Sequence, residues 1–169
     1  GELASLLIHE YTHGTIFLKN EVGFNESLAE FVGNQGAEEF LIRRFGPDST
    51  EVSGFRGALE KDRSFIRLME ELYGKLEALY QSPASEADKL KSRVPRFDGA
   101  REKMKELGRD PGSRLNNALV MAHRLYNDDQ EVFKAFYEKN GKDWARTFAA
   151  FKSLDRKTPR AALRRALGL

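Results

Sequence analysis

Residues 6–18 read LLIHEYTHGTIFL and place His9, Glu10 and His13 in the spacing H-E-x-x-H. No other feature constrains the fold of this chain as strongly. On an α-helix, residues four apart differ by only about 40° of rotation, so the imidazoles of His9 and His13 leave one side of the helix, a turn apart. Glu10 lies about 100° round from His9, near enough to face a water without becoming a ligand itself. Metal-assisted hydrolysis needs this set of groups. An ion lowers the pKa of its water towards about 7, and a carboxylate takes the proton as that water attacks. Chance alone puts H-E-x-x-H somewhere in a chain of this length roughly once in a few hundred sequences, so the motif needs support from elsewhere.

A catalytic zinc takes three protein ligands and keeps one position open, so a third ligand is expected on a neighbouring element. The metzincin extension would need Gly at 16 and His at 19; the chain has Ile16 and Lys19, which excludes it. The stretch FNESLAEFVG instead offers Glu26, thirteen residues beyond His13, with Glu30 one turn further on. That interval is enough to finish one helix, turn, and return antiparallel. Glu26 is then the third ligand, and Glu30 the carboxylate that accepts the free ring N–H of a ligating histidine and fixes its tautomer. Gly14 would remove a side chain where the second helix approaches.

Apolar spacing supports helices throughout. Leu3, Leu6, Leu7, Ile16, Phe17 and Leu18 read as a first helix, ended by a turn at Asn20 to Gly23. Asn25 reads as the N-cap of a second helix that runs to Gly46-Pro47, with an interruption near Gly33 and Gly36. A long amphipathic helix follows from about Gly54 to Tyr80. A charged helix capped by Ser85 comes next, broken at Val94-Pro95 and resuming to Leu107. Shorter helices are expected over 114–127, 129–139 and 143–154, with a basic segment around 161–167. No stretch alternates as a strand does. The fold class is all-α: a single domain of six to eight helices in which the H-E-x-x-H helix packs on a second, ligand-bearing helix.

With 169 residues, 40% of them apolar, the chain can close one ordinary core. Its 28 basic against 26 acidic residues give no general attraction to polyanions, so nucleic acid is not indicated. The absence of cysteine removes disulfides and thiolate metal ligands. No run of about 18 apolar residues could span a bilayer.

H-E-x-x-H followed by N-E-x-x-A and an acid resembles the gluzincin zinc peptidases. The wording HEYTHGTIFLKNEVGFNESLAEFVGNQGAEEFL is similar to a bacterial family of aminopeptidases, often lipoprotein-anchored. The likeness is densest over 3–41 and resumes at RLNNALVMAHRLY and GKDWARTFAAFKSL. It implies one Zn²⁺ on His9, His13 and Glu26, with Glu10 as catalytic base and Glu30 supporting a ligand histidine. It further implies a peptide substrate, a place in the bacterial cell envelope, and a longer catalytic unit whose β-rich lobe this helical fragment lacks. The interval between His13 and Glu26 is shorter than in many gluzincins.

An oxyanion at the metal needs a donor. His123 and Tyr126 share a helix face with Asn116 and are the candidates, with Asn25, Asn116 or Asn117 bracing the site or binding substrate. A lone His or Tyr on a mostly apolar face is more often a hydrogen-bonded core residue, and that reading is the stronger one for each; His123 is also an alternative third ligand. The tail RKTPRAALRRALGL reads as a solvated basic helix face, and Phe133, Phe136, Tyr137, Trp144, Phe148 and Phe151 as core. Two functions compete: a zinc aminopeptidase, and a catalytically silent helical module that keeps metal or binds a partner. A structural site would fill all four metal positions with protein and has no use for Glu10.

Overall fold

A computed structural model describes residues 1–110, 115–126 and 130–169, with 122–126 as backbone only. The described residues form helices α1 (Glu2–Thr15), α2 (Val22–Phe45), α3 (Thr50–Gln81), α4 (Glu86–Glu106), α5 (Asn117–Tyr126), α6 (Gln130–Lys139), α7 (Trp144–Ser153) and α8 (Pro159–Leu167), with no strand among them. The all-α class is as expected. The helices fall into two compact units, one holding α1, α2, the start of α3 and α6–α8, the other the rest of α3 with α4 and α5.

Helix α1 stops at Thr15, three residues before the expected end. The hydroxyls of Thr12 and Thr15 donate to the carbonyls of Ile8 and Tyr11, and the N–H of Ile16 closes the last turn on Thr12. Ile16 itself is extended, with φ −136° and ψ 120°. Ile16 and Leu18 are each 5% exposed while Phe17 between them is 61% exposed, the alternation of an extended segment. Asn20 then turns the chain at φ 67°.

Helix α2 begins at Val22, so Asn25 is not its N-cap. The buried Asn25 carboxamide reaches back instead: its Oδ1 accepts from the N–H of Leu18 at 2.9 Å, and its Nδ2 donates to the carbonyl of Leu18 at 2.8 Å. One side chain thus bonds both backbone groups of the buried Leu18, whose carbonyl also accepts from the N–H of Glu21 at 3.2 Å, and this sets the direction in which α2 leaves the turn. Gly33 and Gly36 do not interrupt α2. They lie where α1 passes, and a Cβ at Gly33 would stand 2.7 Å from the carbonyl oxygen of Ser5. Beside this contact Ser5 Oγ donates to Asn34 Oδ1 at 2.8 Å. Gly14 has nothing within 4 Å of its Cβ position, so the close approach expected there occurs at Gly33 instead.

The core of the first unit joins Phe24, Leu28, Phe31 and Val32 of α2 to Phe133, Phe136 and Tyr137 of α6, Phe151 of α7 and Leu163 of α8. Phe24 meets Phe133 edge-on at 5.4 Å, and Tyr137 stacks on Trp144 at 4.2 Å. One carboxylate ties these helices: Glu39 accepts from the Tyr137 hydroxyl and the Trp144 indole N–H, each at 2.8 Å, and from Gln35 at 3.0 Å. Burial and the facing Glu39 charge push the Tyr137 hydroxyl well above the ordinary phenol value of 10.0.

In the second unit Phe65, Leu68, Met69, Leu72 and Leu76 of α3 pack on Phe97, Ala100 and Met104 of α4 and on Val120 of α5. Helix α4 continues through Pro95 where a break was expected. Pro95 is exposed, so water can serve the carbonyl it leaves unbonded, and burial of Phe97, Ala100 and Met104 offsets a cost of about 3 kcal/mol. Helix α3 starts at Thr50 rather than at Gly54 because Ser49 Oγ accepts from the N–H of Val52 at 3.3 Å. Helix α8 starts at Pro159, ahead of Ala161, because proline's fixed φ suits the first helical position. No described helix is long and apolar enough to cross a membrane.

Two stability measurements follow. Asn25→Ala removes the partner of the Leu18 N–H while the Leu18 carbonyl keeps the N–H of Glu21 at 3.2 Å, and urea denaturation should show a loss of about 1–3 kcal/mol; a loss below about 0.5 kcal/mol would show that the turn does not need the clamp. Tyr137→Phe should cost about 1.5–3 kcal/mol at neutral pH by removing a hydrogen bond to a carboxylate. The raised Tyr137 value adds stability that is complete below pH 10 and lost as pH rises through the folded value, so the wild type should weaken above about pH 10. The Phe variant should weaken less steeply over the same range.

Candidate metal centre

Three elements converge at the centre. Helix α1 carries His9 and His13 on one side, the extended segment 16–18 and the Asn25 clamp reverse the chain, and α2 returns with Glu26 one residue after the clamp. The two Nε2 atoms stand 3.1 Å apart, with the ring planes at 81° to each other. Glu26 places Oε2 at 3.5 Å from His9 Nε2 and Oε1 at 3.5 Å from His13 Nε2. Each oxygen of the Glu26 carboxylate thus faces one imidazole nitrogen, and one donor atom from each residue lies within 4.8 Å of the other two. Ligands held about 2.0–2.2 Å from one shared ion take such spacings, and imidazole nitrogen with carboxylate oxygen suits a borderline ion such as zinc. Among the described residues this trio alone groups three candidate metal ligands within 4.8 Å.

The centre is half-buried. Each histidine side chain is 24% exposed and Glu26 is 35% exposed, so the cluster is open to solvent in part. Glu10, the residue after His9 on α1, is exposed. Its helical neighbours Leu3, Leu6 and Leu7 are 69%, 57% and 51% exposed, an apolar surround for a single carboxylate. Glu30 sits one turn beyond Glu26 on α2 and is half-buried. At the opening of α6, Gln130 Nε2 donates to the carbonyl of Ser27 at 3.0 Å, tying that helix to the residue after Glu26.

The remaining sequence candidates divide in two. The side chains of His123 and Tyr126 lie outside the described residues. Asn116 and Asn117 belong to the second unit and both hold structure there: Asn116 Oδ1 accepts from the N–H of Leu119 at 3.0 Å as a cap on α5, and Asn117 Oδ1 accepts from the Tyr80 hydroxyl at 3.2 Å. Asn25 acts on the turn rather than as a cap. Sequence reasoning gave Gly33 no role at the centre, although a Cβ there would also come within 3.3 Å of His9 Cβ. The only local signal for it was a glycine in the middle of a helical pattern, where alanine would be favoured by about 1 kcal/mol.

No curated protein and no solved structure matches the chain. The family model described as "Putative aminopeptidase" matches residues 1–167, nearly the whole length. The chain therefore belongs to that aminopeptidase family.

Proposed function

We propose that the chain is the helical catalytic part of a zinc-dependent aminopeptidase, with His9, His13 and Glu26 as the ligands. The gathering of three donor side chains, with the His9 and His13 Nε2 atoms 3.1 Å apart and a Glu26 oxygen 3.5 Å from each, is the observation that carries this reading, and the family match supports its coarser part. A bound divalent ion would supply Lewis acidity to a water and to the scissile carbonyl. The protein's own groups do the rest. His9 and His13 present Nε2 to the centre, and Glu30 accepts a ring Nδ1–H from one of them, fixing that tautomer. Glu10 accepts the proton of the attacking water and hands it to the departing amine. A peptide lying over Leu3, Leu6 and Leu7 would exclude water around Glu10 and strengthen its interaction with the reacting groups.

Elemental analysis and hydrolysis of aminoacyl fluorogenic substrates test the assignment together. The wild type should carry one zinc per chain. His13→Ala should lose it, while Glu10→Gln should keep it yet fall about 10²–10⁴-fold in turnover. Blocking the substrate's amino group should abolish cleavage if the enzyme removes N-terminal residues. A Glu10→Gln variant as fast as wild type would refute the assignment of the base.

A further inference from the structure

At Gly33 the two ligand-bearing helices approach each other backbone to backbone. Gly33 of α2 lies against Ser5 of α1, and its absent Cβ would be 2.7 Å from the Ser5 carbonyl oxygen and 3.3 Å from both His9 Cβ and Ser5 Oγ. Ordinary carbon–oxygen contact needs roughly 0.5 Å more than the first of these distances, and backbone cannot rotate out of the way. Gly33 shares a face of α2 with Glu26, seven residues and nearly two whole turns earlier. Its neighbour His9 is one turn along α1 from Ser5. Any separation at Gly33 therefore moves His9 away from Glu26. Metal sites tolerate deviations of only about 0.2 Å in ligand distance.

From this we infer that Gly33 is a positioning residue for the metal centre: it lets α1 and α2 approach closely enough for His9 and Glu26 to share one ion. The inference rests on the zinc reading above. Gly36 provides the contrast on the same helix. A Cβ there meets the tip of the Ile8 side chain at 3.1 Å, which can rotate aside. Gly14, between the ligands and the end of α1, has open space.

The test is titration of the apo proteins with Zn²⁺ and Co²⁺, read as dissociation constants and as the Co²⁺ visible spectrum, with helicity checked by circular dichroism. Gly33→Ala should bind both ions about 10–100-fold more weakly, the loss usual when support for a ligand is removed, with altered Co²⁺ bands. Gly36→Ala and Gly14→Ala should stay within about threefold of wild type in affinity, and a general effect of stability or helix propensity would move them as well. If Gly33→Ala does not fold at room temperature, the titration is repeated in the cold with sulfate, which strengthens apolar burial. A folded Gly33→Ala protein with wild-type affinity and spectrum would overturn the positioning role while leaving the zinc reading intact. A wild type that binds neither ion would overturn both.

Discussion

The candidate centre depends on the antiparallel seam between α1 and α2. Two hydrogen bonds from Asn25 to Leu18 turn the chain at one end of it, and the bare backbone of Gly33 against Ser5 sets its width further along. Between these two points lie His9, His13 and Glu26. The clamp and the ligand are consecutive residues, so the interaction that orients α2 also aims Glu26. Neither device provides a donor to the ion. Both bear on whether three donors from two helices fall within one coordination sphere, a matter of tenths of an ångström.

Behind the seam, the first unit is held by an aromatic core and one shared carboxylate. Glu39 accepts bonds from Tyr137 and Trp144, about a hundred residues away, and so joins α2 to α6 and α7. With α2 anchored on that side, the metal side of the helix can remain half-open without loss of order. Gln130, bonding the carbonyl of Ser27, extends the same support to the turn of α2 that carries Glu26. The apolar surround of Glu10 runs against the usual pattern, in which the exposed face of a helix is polar.

Much of this was legible in the residues themselves, for reasons of local geometry. Period 3.6 places His9 and His13 together whatever else the chain does, and the short interval to Glu26 leaves room for little except a return helix. Asn25 was misread because asparagine at a helix start usually caps it; here α2 begins earlier, and the same hydrogen-bonding capacity is spent on Leu18. Gly33 looked like a break because a mid-helix glycine weakens an isolated helix, and only the position of α1 reveals what its lack of a side chain permits. Glu39 had no local signal at all, since its partners are distant in sequence. Pro95 was expected to break α4 because the packing that outweighs its cost is tertiary.

The most direct test of the central claim is anomalous scattering at the zinc edge from crystals of the purified protein. The account expects one peak per chain, about 2.0–2.2 Å from His9 Nε2, His13 Nε2 and an oxygen of Glu26, with the remaining position open to solvent beside Glu10. A zinc-loaded crystal with no peak among these three side chains, or with a protein ligand filling the fourth position, would contradict it.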